Sequence, residues 1–331
     1  ETSISLCGPH SLRNSITFIR AIHYTQTMKV SVVVCTYSLD TYNSFIEAVE
    51  SVRSQTYGNV ELIVVVDGNQ KLHNRIVDTY DSFTVLFNDE NVGLSESRNR
   101  GVKHASGDVI AFLDDDAVAD ERWIEELVSV YEERSAIAVG GKMIAQWVAG
   151  KPSFLPVEFY WLIGVTHRGF AEPGQEVRNT FGSNISFRRE VFEEIGEFDP
   201  ELGRRGSLNI QSEETIFCVR MREEFGHGVV YNPDAVVAHK IFGYRTEPKW
   251  LIKRAFWQGY SKRVMGQLVQ ERAKNETAFL KQLVGKFVPN RLKDLVRSPT
   301  VPKALQFLSI VVFTAAVGLG YGYGIGRELL S

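Results

Sequence analysis

The sequence predicts an α/β fold with a mostly parallel central sheet and an apolar C-terminal helix. Three observations carry this. Short β-branched runs alternate with stretches of helical period over residues 29–113, the pattern of strands joined by crossover helices. Three of those runs end in polar groups, Thr36-Tyr37, Asp67 and Asp114-Asp115-Asp116, and open α/β sheets bind ligands at the carboxyl ends of their strands. Residues 304–326 contain no Asp, Glu, Lys or Arg, enough for a helix that crosses a bilayer.

Bulk properties narrow the classes. A chain of 331 residues suffices for one large domain or two modest ones. At 44% hydrophobic, 23% charged and net charge −3, nothing suggests nucleic acid as a partner. Cys7, Cys35 and Cys218 are far apart and odd in number. They form neither a metal-ligand spacing nor a disulfide framework, which fits a reducing compartment. The first residues lack a basic stretch followed by an apolar core, so no secretory signal is expected.

Residues 1–27 are polar and without clear period, read either as a disordered leader or as an extension ahead of a fold that starts at Met28. Residues 29–36 form a buried strand, closed by Tyr37-Ser38-Leu39-Asp40. Phe45, Ile46, Val49 and Val52 stand at helical spacing, and Gln55-Thr56-Tyr57-Gly58 ends that helix. A second strand over 60–66 runs into Asp67-Gly68-Asn69. A short helix over 75–80 and a third strand over 83–87 follow. Asn91-Val92-Gly93 turns into a helix over 95–104, and residues 109–113 form the strand that meets the aspartates. Along an extended chain Asp114 and Asp116 point the same way. Adjacent carboxylates raise one another's pKa unless a cation sits among them. The pair suits a hard divalent cation shared with phosphate; an acidic turn capping a helix near Asp120 is the alternative.

The second half is less regular. Residues 123–131 are helical, 136–145 form a strand, and 146–180 have no assignable period. Gly182-Ser183-Asn184 precedes a helix over 189–195, which Gly196-Glu197-Phe198-Asp199-Pro200 breaks. A loop containing Arg204 and Arg205 leads to Ser212, a cap for a helix over 213–225. Residues 229–237 include a last strand pair ending in His239. Over 249–270, Trp250, Leu251, Phe256, Trp257 and Tyr260 interleave with Lys253, Arg254, Lys262 and Arg263. That suits a helix at a membrane interface or one packed on the α/β domain. Lys281, Lys286, Arg291, Lys293, Arg297 and Lys303 precede the apolar run, which places its N-terminal side in the cytoplasm. Glycines 318, 320, 322, 324 and 326 either weaken that helix or let another approach closely. The expected division is a leader over 1–27, an α/β domain over 28–245, basic amphipathic helices over 246–303 and a transmembrane helix over 304–326. No Gly-x-Gly-x-x-Gly follows the first strand, which argues against a dinucleotide-dependent oxidoreductase.

Seven segments in order resemble glycosyltransferase family 2. Val34-Cys35-Thr36-Tyr37 is similar to its first strand and uridine-contacting turn. Asn91-Val92-Gly93 with Ser97-Arg98-Asn99-Arg100-Gly101 resembles its "N-x-G-x-x-x-A-R-N-x-G" segment. Phe112-Leu113-Asp114-Asp115-Asp116 resembles "F-L-D-x-D". Gly182-Ser183-Asn184 and Gly196-Glu197-Phe198-Asp199 are similar to its acceptor-side "G-x-N" and "G-x-F-D". Ser212-Glu213-Glu214 resembles its "ED" or "EE", and Pro233-Asp234-Ala235-Val236-Val237-Ala238-His239 its closing "P-x-A-x-x-x-H". The chain departs from the pattern at Ser97, where Ala is usual, at Val66-Asp67-Gly68-Asn69 in place of "VDDGS", and at Glu214 in place of Asp.

The resemblance implies the GT-A nucleotide-sugar fold and a single inverting displacement without a protein nucleophile. It implies Thr36, Tyr37, Asp67, Arg98, Asp114 and Asp115 at the nucleotide sugar, with Asp114 toward the ribose and Arg98 on a phosphate or the base. Asp116 and His239 would hold a divalent cation, Mn2+ or Mg2+. Asn184, Asp199, Arg204 and Arg205 would serve the acceptor or the diphosphate; the two arginines equally suit an acidic sugar. Glu214, with Glu213 beside it, would be the general base. Burial raises such a pKa and a helix N-terminus lowers it. With its C-terminal anchor the chain is similar to archaeal dolichyl-phosphate glycosyltransferases of N-glycosylation. That implies a UDP-sugar donor, UDP-glucuronate, and a dolichyl-phosphate-linked glucose at the bilayer. A neutral hexose or rhamnose transferase of exopolysaccharide synthesis, or a non-catalytic nucleotide-sugar-binding scaffold, are the alternatives.

Overall fold

Strands β1 (Val30–Thr36), β2 (Val60–Asp67) and β4 (Val109–Asp114) are apolar on both faces because helices cover both faces. The computed structural model describes residues 27–202, 213–268 and 279–328. With β3 (Thr84–Asn88), these strands pair in parallel in the order β3-β2-β1-β4. Val32, Val34, Val64, Val66, Ala111 and Leu113 face helices α1 (Tyr42–Arg53), α2 (Gln70–Thr79) and the later α4 (Trp123–Glu133). Val33, Ile63, Val65, Ile110 and Phe112 point the other way, into a cluster with Phe187, Phe192, Phe198 and Phe217. Helix α3 (Leu94–His104) lies so close to β1 that a methyl group on Gly101 would strike Val33.

Beyond β4 the sheet becomes mixed. Short strand β5 (Ala117–Ala119) follows the aspartates and pairs antiparallel with β9 (Val229–Ile241). Strand β8 (Ile185–Arg188) inserts antiparallel between β4 and β6 (Ala138–Trp147), β6 runs parallel to β9, and β7 (Glu176–Val177) edges the start of β9. Helices α5 (Arg189–Ile195) and α6 (Glu213–Phe225) cover the phenylalanine face. Several elements differ from expectation, the short strands β5, β7 and β8 among them. Helix α2 starts at Gln70 because Asn69 accepts the Leu72 amide at 3.1 Å, a cap that brings Leu72 and Ile76 into the core. The expected strand pair at 229–237 is one strand that continues through His239. Residues 146–180 contain a 3-10 helix, Val157–Ile163, that seats the C-terminal helices.

Those helices are α7 (Pro248–Leu268), a π-turn at Leu283–Phe287, α8 (Val288–Arg297) and α9 (Val301–Glu328). Phe159, Leu162 and Ile163 pack with Leu251, Ala255, Leu283, Phe287, Ile310 and Phe313. Buried Glu158 accepts from Arg291 at 2.8 Å and lies 3.3 Å from Arg168, which ties the 3-10 helix to α8. Helix α7 is thus packed on its neighbours. A methyl group on Gly320 would strike the Phe256 carbonyl, and one on Gly259 the Val317 carbonyl, whereas Gly318, Gly322 and Gly326 face open space. The glycine comb therefore serves close packing at Gly320 and Gly324 only. Helix α9 is long and apolar enough to cross a membrane. Leu305, Leu308, Val311 and Leu319 along it are exposed. Most of the leader, Cys7, Arg204, Arg205 and Ser212 lie outside the described residues.

The two glycine classes should respond oppositely. Gly320→Ala should lower the melting temperature of the purified chain in detergent, by an overpacking cost of about 1–3 kcal/mol. Gly322→Ala should leave it unchanged or raise it, since Gly costs about 1 kcal/mol relative to Ala within a helix.

Candidate active site

The carboxyl ends of β1, β2 and β4 converge, and the chain turns at 115–116 between β4 and β5. Because of that turn, side-chain alternation stops at Asp114, and Asp114 and Asp116 take different partners rather than sharing one face. Asp115 accepts from Thr36 Oγ1 at 2.7 Å and Thr41 Oγ1 at 3.1 Å, both on Oδ2. Burial, with Asp116 and Asp114 adjacent, pushes the Asp115 carboxyl up to about 7 against those two bonds.

Asp114 Oδ1 accepts from Arg98 at 3.0 Å, and the Asp114 amide donates to Ser183 Oγ at 3.0 Å. Arg98 is 4% exposed. It also donates to the Gly182 carbonyl at 3.0 Å and lies 3.9 Å from Glu213 Oε1. A side chain at position 182 would press on the guanidinium at 3.0 Å, which accounts for glycine there. One buried cation thus joins the aspartate strand, the Gly182 turn and the start of α6. Glu213 is buried against it, whereas Glu214 is partly exposed and lines a cavity that reaches the C-terminal helices.

Asp116 is held by backbone pairing: its carbonyl accepts the Lys240 amide at 2.9 Å, and Ala117 sits opposite His239 in the β5–β9 ladder. Its Oδ1 lies 3.4 Å from His239 Nε2, and its Oδ2 accepts from Arg245 at 3.1 Å. Arg245 also donates to His239 Nε2 at 2.7 Å. Two ligands on one small cation, each bonded at about 2.1 Å, stand about 3 Å apart. Asp116 and His239 fit that spacing, and the Arg245 guanidinium is a stand-in cation on both. Among the described residues no group of three or more His, Cys, Asp or Glu suits a metal. A cation held by two such side chains would take its other positions from phosphate oxygens or water, as Mg2+ commonly does.

Other candidates hold the site from within. Asp67 accepts from Asn88 Nδ2 at 3.0 Å and from the amides of Val92 at 3.0 Å and Gly93 at 2.9 Å. It fixes the loop at 91–93. Ser97, in place of the usual Ala, accepts from Asn88 Nδ2 at 3.0 Å and extends that network. Tyr37 is 60% exposed, and its carbonyl accepts from Asn69 at 3.0 Å. Asn184, expected at the acceptor or the diphosphate, lies inside the protein. It is wholly buried, accepts from Trp123 Nε1 at 2.9 Å, and donates to the carbonyls of Ala235 at 2.9 Å and Lys142 at 3.2 Å. Asp199 is exposed and accepts the Glu201 amide at 2.9 Å, stabilising its own turn. The neighbouring Phe198 exchanges two bonds with Asn99, at 2.8 and 3.0 Å. Sequence reasoning missed Arg245, Asn99, Ser183 and Thr41. Asn99 was visible as part of its motif; Arg245, six residues beyond His239, looks like any other cation in the sequence.

Asn184→Ala should destabilise the protein strongly, since each buried partner left unsatisfied costs about 1–3 kcal/mol. Glu214→Gln should leave the melting temperature unchanged in the same thermal unfolding experiment.

Comparison with known proteins agrees with this geometry. The family model "Glycosyl transferase family 2" matches residues 31–196. The chain is 51% identical over 302 residues to the glucosyl-dolichyl phosphate glucuronosyltransferase of Haloferax volcanii, covering 90% of this chain and 96% of that one. It is 24% identical to the succinoglycan biosynthesis protein ExoM of Rhizobium meliloti, over 75% of this chain and 77% of that protein. Among solved structures, S. aureus TarS 1-349 in complex with UDP matches with a TM-score of 0.50 at 18% identity, covering 88% of this chain and 81% of that one. This last likeness concerns the fold, which is of the GT-A type. On the family match, the 51% identity and the shared fold, the chain belongs to glycosyltransferase family 2.

Proposed function

We propose that this chain is a membrane-bound, metal-dependent inverting glycosyltransferase that moves glucuronate from UDP-glucuronate to a dolichyl-phosphate-linked glucose in protein N-glycosylation. The observation that carries the reading is the pairing of Asp116 with His239 at 3.4 Å, with Glu214 at a cavity that opens toward the C-terminal helices. Its setting is a chain 51% identical over 90% of its length to a glucuronosyltransferase of that description.

The chemistry has two requirements. As the acceptor hydroxyl oxygen bonds to the anomeric carbon, the carbon–oxygen bond to UDP breaks and its electron pair leaves with the diphosphate. The hydroxyl proton must leave at the same time. Glu214 takes that proton as general base. Asp116 and His239 would hold a divalent cation, which would supply offsetting charge for the diphosphate. The Arg245 guanidinium, which bonds Asp116 and His239, is the nearby cation that would be free to meet a phosphate if those two side chains held a metal ion. Arg98 holds Asp114 toward the donor and anchors the start of α6, so donor and base keep one relative position. Tyr37, exposed at the end of β1, offers a ring to the nucleotide. Helix α9 anchors the chain, and the basic residues ahead of it support a cytoplasmic catalytic domain, where nucleotide sugars are made.

The test incubates membranes containing the protein with radiolabelled UDP-glucuronate, dolichyl-phosphate-linked glucose and Mn2+. Label should enter the lipid phase, vanish with chelator, and fall by about 10²-fold or more in Glu214→Gln. Transfer from a neutral-sugar nucleotide but not from UDP-glucuronate would replace the donor assignment. Unchanged glycan in cells carrying Glu214→Gln and Asp116→Ala would favour a non-catalytic scaffold.

A further inference from the structure

Helix α9 is apolar, yet protein lies along most of its length. Gln306, in its second turn, donates to the Ser153 carbonyl at 2.8 Å and accepts from Arg291 at 2.6 Å. Phe313 packs on Phe159 of the 3-10 helix at 5.5 Å, with Ile310 and Ala316 in the same cluster. Thr314, Val317 and Tyr321 line one cavity with Asn179 and with Glu214 of α6. Gly259 of α7 lies against Val317, Gly320 against Phe256 and Gly324 against Arg263. Arg263 donates to Glu328 at 2.8 Å. The contacts advance together along both chains, from Leu251 with Phe313 to Arg263 with Glu328, so α7 and α9 run parallel.

One side of α9 is left over. Ile310, Phe313, Ala316, Gly320 and Gly324 recur every three or four residues and are buried. Leu308, Val311, Ala315, Leu319 and Gly322 fall on the opposite side and are exposed. No Asp, Glu, Lys or Arg stands between Ala304 and Gly326. Helix α8 adds an exposed apolar pair one turn apart, Leu292 at 48% and Val296 at 74%. Lys293 and Arg297 are exposed beside them.

This packing conflicts with a helix that crosses a bilayer. Crossing takes about 20 consecutive residues in hydrocarbon. Up to Ala316, α9 is bound to the α/β domain through Ser153 and Phe159. Val317–Glu328 remains, about three turns, well short of that length. Those turns pack on the stretch of α7 that carries Lys262 and Arg263 and end in the Arg263–Glu328 ion pair. Charged side chains at the bilayer centre are costly. A helix lying in the interface meets neither difficulty. It keeps one side on protein, sinks the other among acyl chains and leaves its cations at the headgroups.

We infer that α9 lies along the α/β domain in the plane of the membrane, with Leu308, Val311, Ala315, Leu319 and Gly322 buried in a single leaflet. Helix α8 joins it through Leu292 and Val296, and Lys293 and Arg297 meet anionic headgroups. The inference rests on the membrane-bound reading above. It replaces a transmembrane helix over 304–326 with an interfacial one.

Site-directed spin labelling measures the depth of each position. Single cysteines are introduced as Leu308→Cys, Ala315→Cys, Gly322→Cys, Gly326→Cys and, on α8, Val296→Cys. The full-length chain carries alanine in place of Cys7, Cys35 and Cys218. Each nitroxide-labelled variant is reconstituted by detergent removal into vesicles of phosphatidylcholine and phosphatidylglycerol. Depth is read from the ratio of collisions with oxygen to collisions with a nickel chelate. A melting temperature equal to that of the parent reports folding, and Val311→Cys and Leu319→Cys, on the same side, replace any variant that fails it. All four α9 labels should report one shallow depth, and the Val296 label should match them. In a crossing helix, residues 308 and 326 stand about 27 Å apart along the axis. Depth would then rise to a maximum near 315 and fall again by 326, and that profile overturns the inference. A nickel-exposed label at Val296 alone overturns the part given to α8. Nickel exposure at every position contradicts the membrane-bound reading itself, so the two readings fail separately.

Discussion

The site depends on one buried guanidinium. Arg98 sits beneath the end of β4 with Asp114, the Gly182 carbonyl and Glu213 around it. A buried cation is tolerable only when such partners surround it, and removing one partner of a buried pair costs about 3–5 kcal/mol. Each partner belongs to a different element: β4, the turn before β8, and α6. The ion cluster therefore sets the distance between the aspartate turn after β4 and the start of α6, which carries Glu213 and Glu214. It also constrains composition, since residue 182 must be small for the guanidinium to fit.

A second guanidinium, Arg245, stands on the Asp116 side of the site. Arg245 bonds both Asp116 and His239, two groups brought together beside the β5–β9 ladder. Two protein ligands would suffice for a cation that arrived with a diphosphate, because phosphate oxygens would supply the remainder. Arg98 is buried and joins three elements; the Arg245 side chain is 17% exposed and pairs with Asp116 and His239. The acidic turn between them is crowded enough to hold the Asp115 carboxyl up to about 7.

Much of the fold was legible because the parallel strands are buried on both faces. Runs such as VSVVVC and VIAFL have no other stable use in water. The same local signal failed for β8, whose four residues are too few to show a period. It failed for α2, where the cap at Asn69 counts for more than the sparse apolar residues behind it. At the site, motif positions were legible but their duties were not. Asp67 and Asn184 stand in sequence like ligand-binding residues, yet burial and complete hydrogen bonding make them holders of loops and strands. Arg245 was invisible because its role arises from a pairing across 129 residues. The alternating glycines of α9 were readable only as a choice between weakness and packing, which the geometry resolves residue by residue.

The central claim is that Asp116 and His239 form a cation site completed by the donor and held in its absence by Arg245. Electron paramagnetic resonance of Mn2+ titrated into the protein, with and without UDP, tests it most directly. The account predicts one bound Mn2+ per chain in the presence of UDP, lost in Asp116→Asn and His239→Ala. It also predicts that Arg245→Gln binds Mn2+ at least tenfold tighter than the wild type when UDP is absent. Mn2+ binding that is unchanged in Asp116→Asn, or indifferent to Arg245, would contradict it.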